Sequence, residues 1–273
     1  MSNRIINFHC HPPCRFYPEH GITPEACDRV LRSDEIDLWC MSPLDLSGLE
    51  EDPEYPYMTS AFRSTNEDVA RLRDRFPDKI VGFVYVDPRE KNAAATVRHW
   101  VEKEGYRGLK LYPPIGFYPD AAEIIEFLKA VADLRIPILF HAGRVAPHPQ
   151  LLAKYAQPVY LEGAAYAARP GSVVVGHAGN PWKEVTYGIA AGVRNMVIDL
   201  TTSGGTDPAF VRKVLDHEGM GADRMVWGSD GVHKAPASLA SMRERLESIG
   251  ASDDQMTKVF GGTAERLLFG EKA

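Results

Sequence analysis

Short apolar runs of five to eight residues alternate with longer segments whose apolar positions recur every three or four residues, along the whole 273-residue chain. The short runs read as strands: RIINFH (4–9), EIDLWCM (35–41), KIVGFVYV (79–86), RGLKLY (107–112), PILFH (137–141), SVVVGH (172–177), NMVIDL (195–200) and RMVWGS (224–229). Between them lie helix patterns with start signals. Thr23-Pro24, Thr65-Asn66, Asp120, Asp207-Pro208 and Ala235-Pro236 stand where an N-cap or a first-turn proline belongs. In IIEFLKAVADL (124–134), Ile124, Phe127, Leu128, Val131 and Leu134 fall on one face, the mark of a helix lying on a sheet. A further helix over DQMTKVFGGTAERLLF (254–269) closes the pattern.

Eight strand and helix pairs in strict alternation, with nearly continuous apolar strands, predict an α/β fold of parallel strands covered by helices. The count of eight selects a closed (β/α)8 TIM barrel with an extra C-terminal helix. The competing open, doubly wound sheet lacks its usual Gly-x-Gly-x-x-Gly turn after the first strand. With no Gly/Ser-rich linker and no charge block, residues 1–273 read as a single domain. The longest non-helical stretch, about residues 43–64 with Asp52-Pro53-Glu54-Tyr55-Pro56-Tyr57, reads as a loop after the second strand that forms a wall or lid.

Charge narrows the partners rather than the fold. The 31 basic and 37 acidic residues, net -6, are spread without long runs, which leaves no footprint for nucleic acid or an anionic membrane. A small-molecule substrate is the expected partner, and a homo-oligomer stays open. No stretch approaches the roughly 20 apolar residues that cross a bilayer, and residues 1–4 lead into a strand rather than a signal sequence, so a cytoplasmic location is expected. Cys10, Cys14, Cys27 and Cys40 all fall early in the chain, and His9, Cys10, His11 and Cys14 together resemble a zinc knuckle. Strand alternation argues against it: Phe8 and Cys10 should face one way, His9 and His11 the other, and the chain has no C-x-x-C pair. The cysteines are read as free thiols.

In such barrels the reacting groups come from the C-terminal ends of the strands. Four of the nine histidines, His9, His11, His141 and His177, fall there, and Asp230 directly follows M-V-W-G-S. A lone histidine at a strand end is more often capped or solvated than a ligand. Convergence changes that reading, because strands one, five, six and eight send imidazoles and a carboxylate to one mouth. That is a set zinc accepts while keeping a position open for water. In G-L-K-L-Y, Leu109 and Leu111 should face the helices while Lys110 and Tyr112 face the barrel. Arg144, three residues past His141, is a candidate carboxylate clamp, with a solvated loop arginine as the alternative.

These motifs carry a family resemblance. H-x-H ending the first strand, L-F-H-A-G ending the fifth, V-G-H-A-G ending the sixth and W-G-S-D ending the eighth resemble the amidohydrolase superfamily. Their order, the terminal G-G-T-A-E-R-L-L-F helix and the segment S-T-N-E-D-V-A-R-L-R-D-R-F-P-D-K-I-V-G-F-V-Y-V-D-P resemble its amidohydrolase-2 branch, which includes the aminocarboxymuconate-semialdehyde decarboxylase type of enzyme. The resemblance implies His9, His11 and His141 as metal ligands, Asp230 as a fourth ligand or the proton shuttle, and His177 as acid/base or the group that polarises the substrate. It implies one divalent ion, with zinc as the default from ligand chemistry and manganese as the alternative. Some members of the superfamily carry a carboxylated lysine at the end of strand four that bridges two metals. Lys110 could take that role, or bind a substrate carboxylate as a point charge.

The leading expectation is metal-dependent hydrolysis of a small carboxylated lactone, amide or ester, with Asp230 and His177 catalytic and Lys110, Tyr112 and Arg144 binding substrate. The runner-up is non-oxidative decarboxylation of an aromatic or muconate-like acid on the same site. A third reading, a metal-binding barrel without catalysis, is disfavoured because no expected catalytic position is lost.

Overall fold

The computed structural model describes residues 4–13, 16, 18–54, 62–201 and 207–270; Cys14 and positions 55–57 of the long loop lie outside them. Eight parallel strands follow chain order around one sheet: β1 (Ile6–Cys10), β2 (Leu38–Met41), β3 (Ile80–Tyr85), β4 (Gly108–Leu111), β5 (Ile138–Phe140), β6 (Val173–Val175), β7 (Met196–Asp199) and β8 (Met225–Val226). The Phe8 amide donates to the Trp227 carbonyl (2.9 Å) and the Ser229 amide to that of His9 (3.0 Å), which ties the last strand back to the first. The fold is the expected (β/α)8 TIM barrel.

Most strands are shorter than the apolar runs that announced them. β5 stops at Phe140 and β6 at Val175, so His141 and His177 stand on the turns just beyond. Register sorts the rest. Lys110 pairs with Leu139, Leu139 with Val174 and Val174 with Val197, and the apolar members of that row fill the interior with Ile6, Phe8, Phe83 and Val226. Leu109, Leu111, Ile138 and Phe140 face the helices, as two-residue alternation requires.

β1 breaks the alternation that the sequence predicts. Phe8 lies inside against Phe83, ring centroids 5.3 Å apart, whereas Cys10 belongs to the helix-facing core. The two therefore do not share a face. The cause is an irregularity in the β1–β2 pairing between Asn7 and Cys10, which lets Phe8 and His9 both turn inward. Cys10, Cys27 and Cys40 are free and buried, as expected.

The helix starts at Thr23, Thr65 and Asp207 are real caps, and Thr65 with Asp68 forms a capping box. The helix after β4 is capped at Ala121 instead of Asp120. The closing helix is not continuous: Asp253–Thr257 passes through a π turn at Lys258–Gly262 into Thr263–Phe269. A Cβ on Gly261, within that π turn, would come within 1.8 Å of the Arg4 carbonyl oxygen, so only glycine lets the helix pack this closely on the entry to β1. Ala264 and Leu268 of its last segment then join the barrel interior. Among the described residues no helix is long and apolar enough to cross a membrane.

Candidate metal centre

Asp230 lies on the turn after β8 in a left-handed conformation (φ 65°), which aims Oδ1 back over the barrel axis. Three imidazoles meet that oxygen: His11 Nε2 at 3.6 Å, His9 Nε2 at 3.9 Å and His177 Nε2 at 3.9 Å. The other carboxylate oxygen pairs with Lys234 at 3.3 Å. His177 and Ala178 are also left-handed (φ 54° and 51°), a strained turn for residues with a Cβ.

The imidazoles are held by their remaining nitrogens. His11 Nδ1–H donates to the Ser42 carbonyl (2.7 Å) and His9 Nδ1–H to Asp199 Oδ2 (2.7 Å). Each is thereby left with an Nε2 lone pair facing the cluster. Lys110, fully buried, donates from Nζ to His9 Nε2 at 3.0 Å. His141 packs on His177 (centroids 5.0 Å) and Tyr112 (4.7 Å), and its Nε2–H donates to the Arg144 carbonyl at 3.1 Å.

Burial sets the charge states. It lowers His11 and His177 to about 4 and His9 and His141 well below the usual imidazole range, with Lys110 and neighbouring histidines adding to the effect. Burial also lowers Lys110 to about 8. Burial alone would raise Asp230, but His177, His11 and His9 hold it well below the usual carboxylate value. At neutral pH the centre is thus neutral imidazoles around one ionised carboxylate, with the Lys110 ammonium on His9 Nε2.

This donor set suits a divalent ion. Ligands on a tetrahedron with bonds of about 2.1 Å stand about 3.4 Å apart, and His11 and His9 Nε2 stand 3.6 and 3.9 Å from Asp230 Oδ1, only slightly farther. Among the described residues two groups have ligand atoms within 4.8 Å of one another: His9, His11 and Asp230, and His9, His177 and Asp199. His141 belongs to neither.

Above the cluster opens a pocket of about 280 Å³, lined by His11, Leu44, Phe62, Tyr112, His141, Arg144, His177 and Asp230. Leu44 and Phe62 bring the long loop after β2 to it as a wall. Tyr112 and Arg144 lie on this pocket, whereas Lys110 sits beneath the histidines and does not line it. Among the described residues the Arg144 guanidinium forms no ion pair. A wider hollow of about 650 Å³, between Asp45, Tyr85 and Arg89, contains no histidine and lies apart from this chemistry. The loops after β5 and β6 are locked together: the Arg144 amide donates to the Asn180 carbonyl (2.6 Å), and a Cβ on Gly143 would fall 2.2 Å from that same oxygen.

Asp199 escaped the sequence reading. It ends β7, and the strand-end rule that picked out Asp230 applies to it equally. Inside the run NMVIDL it is one polar residue in an apolar strand, and nothing in the local pattern ties it to His9.

Barrel, strand-end histidines and carboxylate together define a metal-dependent enzyme of the TIM-barrel class. The family model for amidohydrolases of the amidohydrolase-2 type matches residues 49–270, and the chain belongs to that family. No curated protein matches the sequence. Among solved structures it is similar to 2,6-dihydroxybenzoate decarboxylase from Rhizobium (TM-score 0.69, 13% identity, covering 98% of this chain and 99% of that one). A probable 2-pyrone-4,6-dicarboxylic acid hydrolase from Acinetobacter baumannii, with citric acid bound, is also similar (TM-score 0.62, 15% identity, 97% and 99% covered). So is a dihydroxybenzoic acid decarboxylase from Polaromonas sp. JS666 with bound manganese and the inhibitor 2-nitroresorcinol (TM-score 0.65, 14% identity, 100% and 98% covered). At such identities the likeness speaks for the fold. Membership in the family makes the chain a metal-dependent enzyme, and the family's chemistry includes both hydrolysis and decarboxylation.

Proposed function

We propose that the protein hydrolyses a small carboxylated lactone, amide or ester at one divalent ion in the cytoplasm. The observation that carries this reading is the ionised Asp230 carboxylate within 3.6–3.9 Å of three neutral imidazoles beneath an open pocket. His9, His11 and Asp230 hold the ion, with His141 as a further ligand from the pocket wall. The ion, when bound, supplies a water acidic enough to ionise near pH 7 and a polarising charge for a carbonyl. Zinc is the default for this ligand set, and manganese, present in the Polaromonas decarboxylase, is the alternative.

Asp230 takes the proton from the attacking water through the carboxylate oxygen that the ion leaves free and returns it to the leaving group. His177, whose Nε2 stands 3.9 Å from Asp230 Oδ1, steadies the charge that develops on the carbonyl. Arg144 receives the substrate carboxylate at the rim, and Tyr112 with Phe62 supplies a flat apolar wall. Lys110, below His9, adds positive potential on the closed side of the site.

A second reading is decarboxylation of an aromatic acid, with His177 relaying a proton from water to the ring carbon that loses carbon dioxide. The Rhizobium likeness and the aromatic wall favour it. Purified protein should carry about one equivalent of divalent metal and lose activity on chelation. Opening of lactones or esters without gas release supports hydrolysis, and carbon dioxide from ring acids supports the second reading. Full activity in metal-stripped protein refutes both.

A further inference from the structure

Asp199 is a buried carboxylate at the site to which the proposed chemistry assigns no part. Each of its oxygens meets two donors. Oδ1 accepts from the Thr201 amide (3.0 Å) and the Thr201 hydroxyl, and Oδ2 accepts from His9 Nδ1–H (2.7 Å) and the His177 amide (3.0 Å). All four acceptor positions of an ionised carboxylate are thereby filled, and nothing remains for a substrate or an ion. The side chain is wholly inaccessible, so its charge acts only through those partners.

The two partners on Oδ2 belong to different strand ends. His9 is turned so that Nδ1 carries the proton, with the Thr201 hydroxyl oxygen as a longer second acceptor at 3.2 Å, and Nε2 presents a lone pair, which Lys110 Nζ meets at 3.0 Å. His177 is the first of three successive left-handed residues, with Ala178 (φ 51°) and Gly179 (φ 68°), and its amide is fixed by the same oxygen. A left-handed backbone at a residue with a Cβ is strained and persists only where neighbours hold it.

We propose that Asp199 is a positioning residue that couples the two halves of the centre: one carboxylate oxygen fixes His9 as the tautomer able to bind metal and anchors the turn that places His177. This rests on the reading of His9 as a metal ligand. Carboxylates in this outer position raise the basicity of a ligating imidazole, and their loss typically weakens metal binding by about 10–100-fold.

The test has two arms, neither of which uses enzyme activity. In metal-free wild-type protein labelled with ¹⁵N-histidine, His9 should appear as the Nδ1–H tautomer with its ring proton far downfield. An Nε2–H tautomer there overturns the proposal without any variant. In Asp199→Asn the amide cannot reproduce a charged acceptor, so the downfield proton should move upfield or vanish. Affinity for zinc and for manganese, measured by competition with a chromophoric chelator, should fall about 10-fold or more. Folded Asp199→Asn with the proton unmoved and affinity within twofold of wild type sinks the idea. If that variant fails to fold, the wild-type tautomer still decides. Wild-type protein that binds neither metal defeats the proposed function but leaves the tautomer measurement readable, so the two failures are distinct.

Discussion

The lower and upper ends of the barrel interior are built on the same strands and hold opposite chemistry. Below, Ile6, Phe8, Val81 and Phe83 close against Ala264 and Leu268 of the final helix. Above, His9, Lys110 and Asp199 are just as inaccessible to solvent, at 0% exposure. The lower end is stabilised by burial itself, whereas the upper end must offset the loss of water with hydrogen bonds. His9 meets Asp199 and Lys110, and Asp199 meets Thr201 and the His177 amide. Depth along a strand thus sets burial, and sequence decides whether that burial stabilises the fold or prepares a site.

The contrast can be broken at either end. Asp230→Asn, at the upper end, should lower turnover by roughly 10²–10⁴-fold, because it removes the proton carrier. Circular dichroism should remain that of wild type, and retained activity would overturn the role given to Asp230. Acid should act on the same end. His11 and His177 sit at about 4 when folded, against 6.5 for an ordinary imidazole. Between those values the unfolded chain binds more protons, so metal-free protein loses stability as pH falls from 6.5 to 4. The loss is roughly 3 kcal/mol for each imidazole, and no further gain from these groups is expected above 6.5. Thermal melts across pH 4–8 check this, and a melting temperature flat over that window contradicts the buried neutral state.

Phe83→Ala attacks the lower end. It should cost about 3–5 kcal/mol in denaturant unfolding, by the same amount at every pH, and leave metal affinity within twofold at low temperature. Gly261→Ala should have the smallest effect, about 1–3 kcal/mol, since the helix must shift off the Arg4 carbonyl. Unfolding by urea measures it, and an unchanged midpoint would mean that the close approach is not a constraint.

The sequence made the barrel legible because eight apolar runs and their helix caps are local signals. It exposed His9, His11, His177 and Asp230 because chemistry at strand ends follows from the fold class. What escaped it depends on partners distant in the chain. The irregularity in β1 that turns Phe8 and His9 to one side arises in pairing with β2, so alternation within INFHC could not reveal it. The π turn lies where Gly261 meets Arg4, more than 250 residues away in sequence. Asp199 acquires meaning only when β7 is brought beside β1, where its oxygen reaches His9. The placement of His141 against the Arg144 carbonyl likewise depends on how the β5 loop folds back.

That β5 loop has one more consequence. Because Gly143 fits flush against Asn180 and the Arg144 amide grips the same carbonyl, the arm that carries Arg144 and the arm that carries His177 are fastened to each other. Under the roles proposed for Arg144 and His177, selectivity and proton handling therefore cannot drift independently, and a change that reshapes the rim to admit a new acid should also retune His177. Variants selected for altered substrates should gather at Leu44 and Phe62 on the opposite wall, where the pocket can be recut without disturbing the catalytic turn.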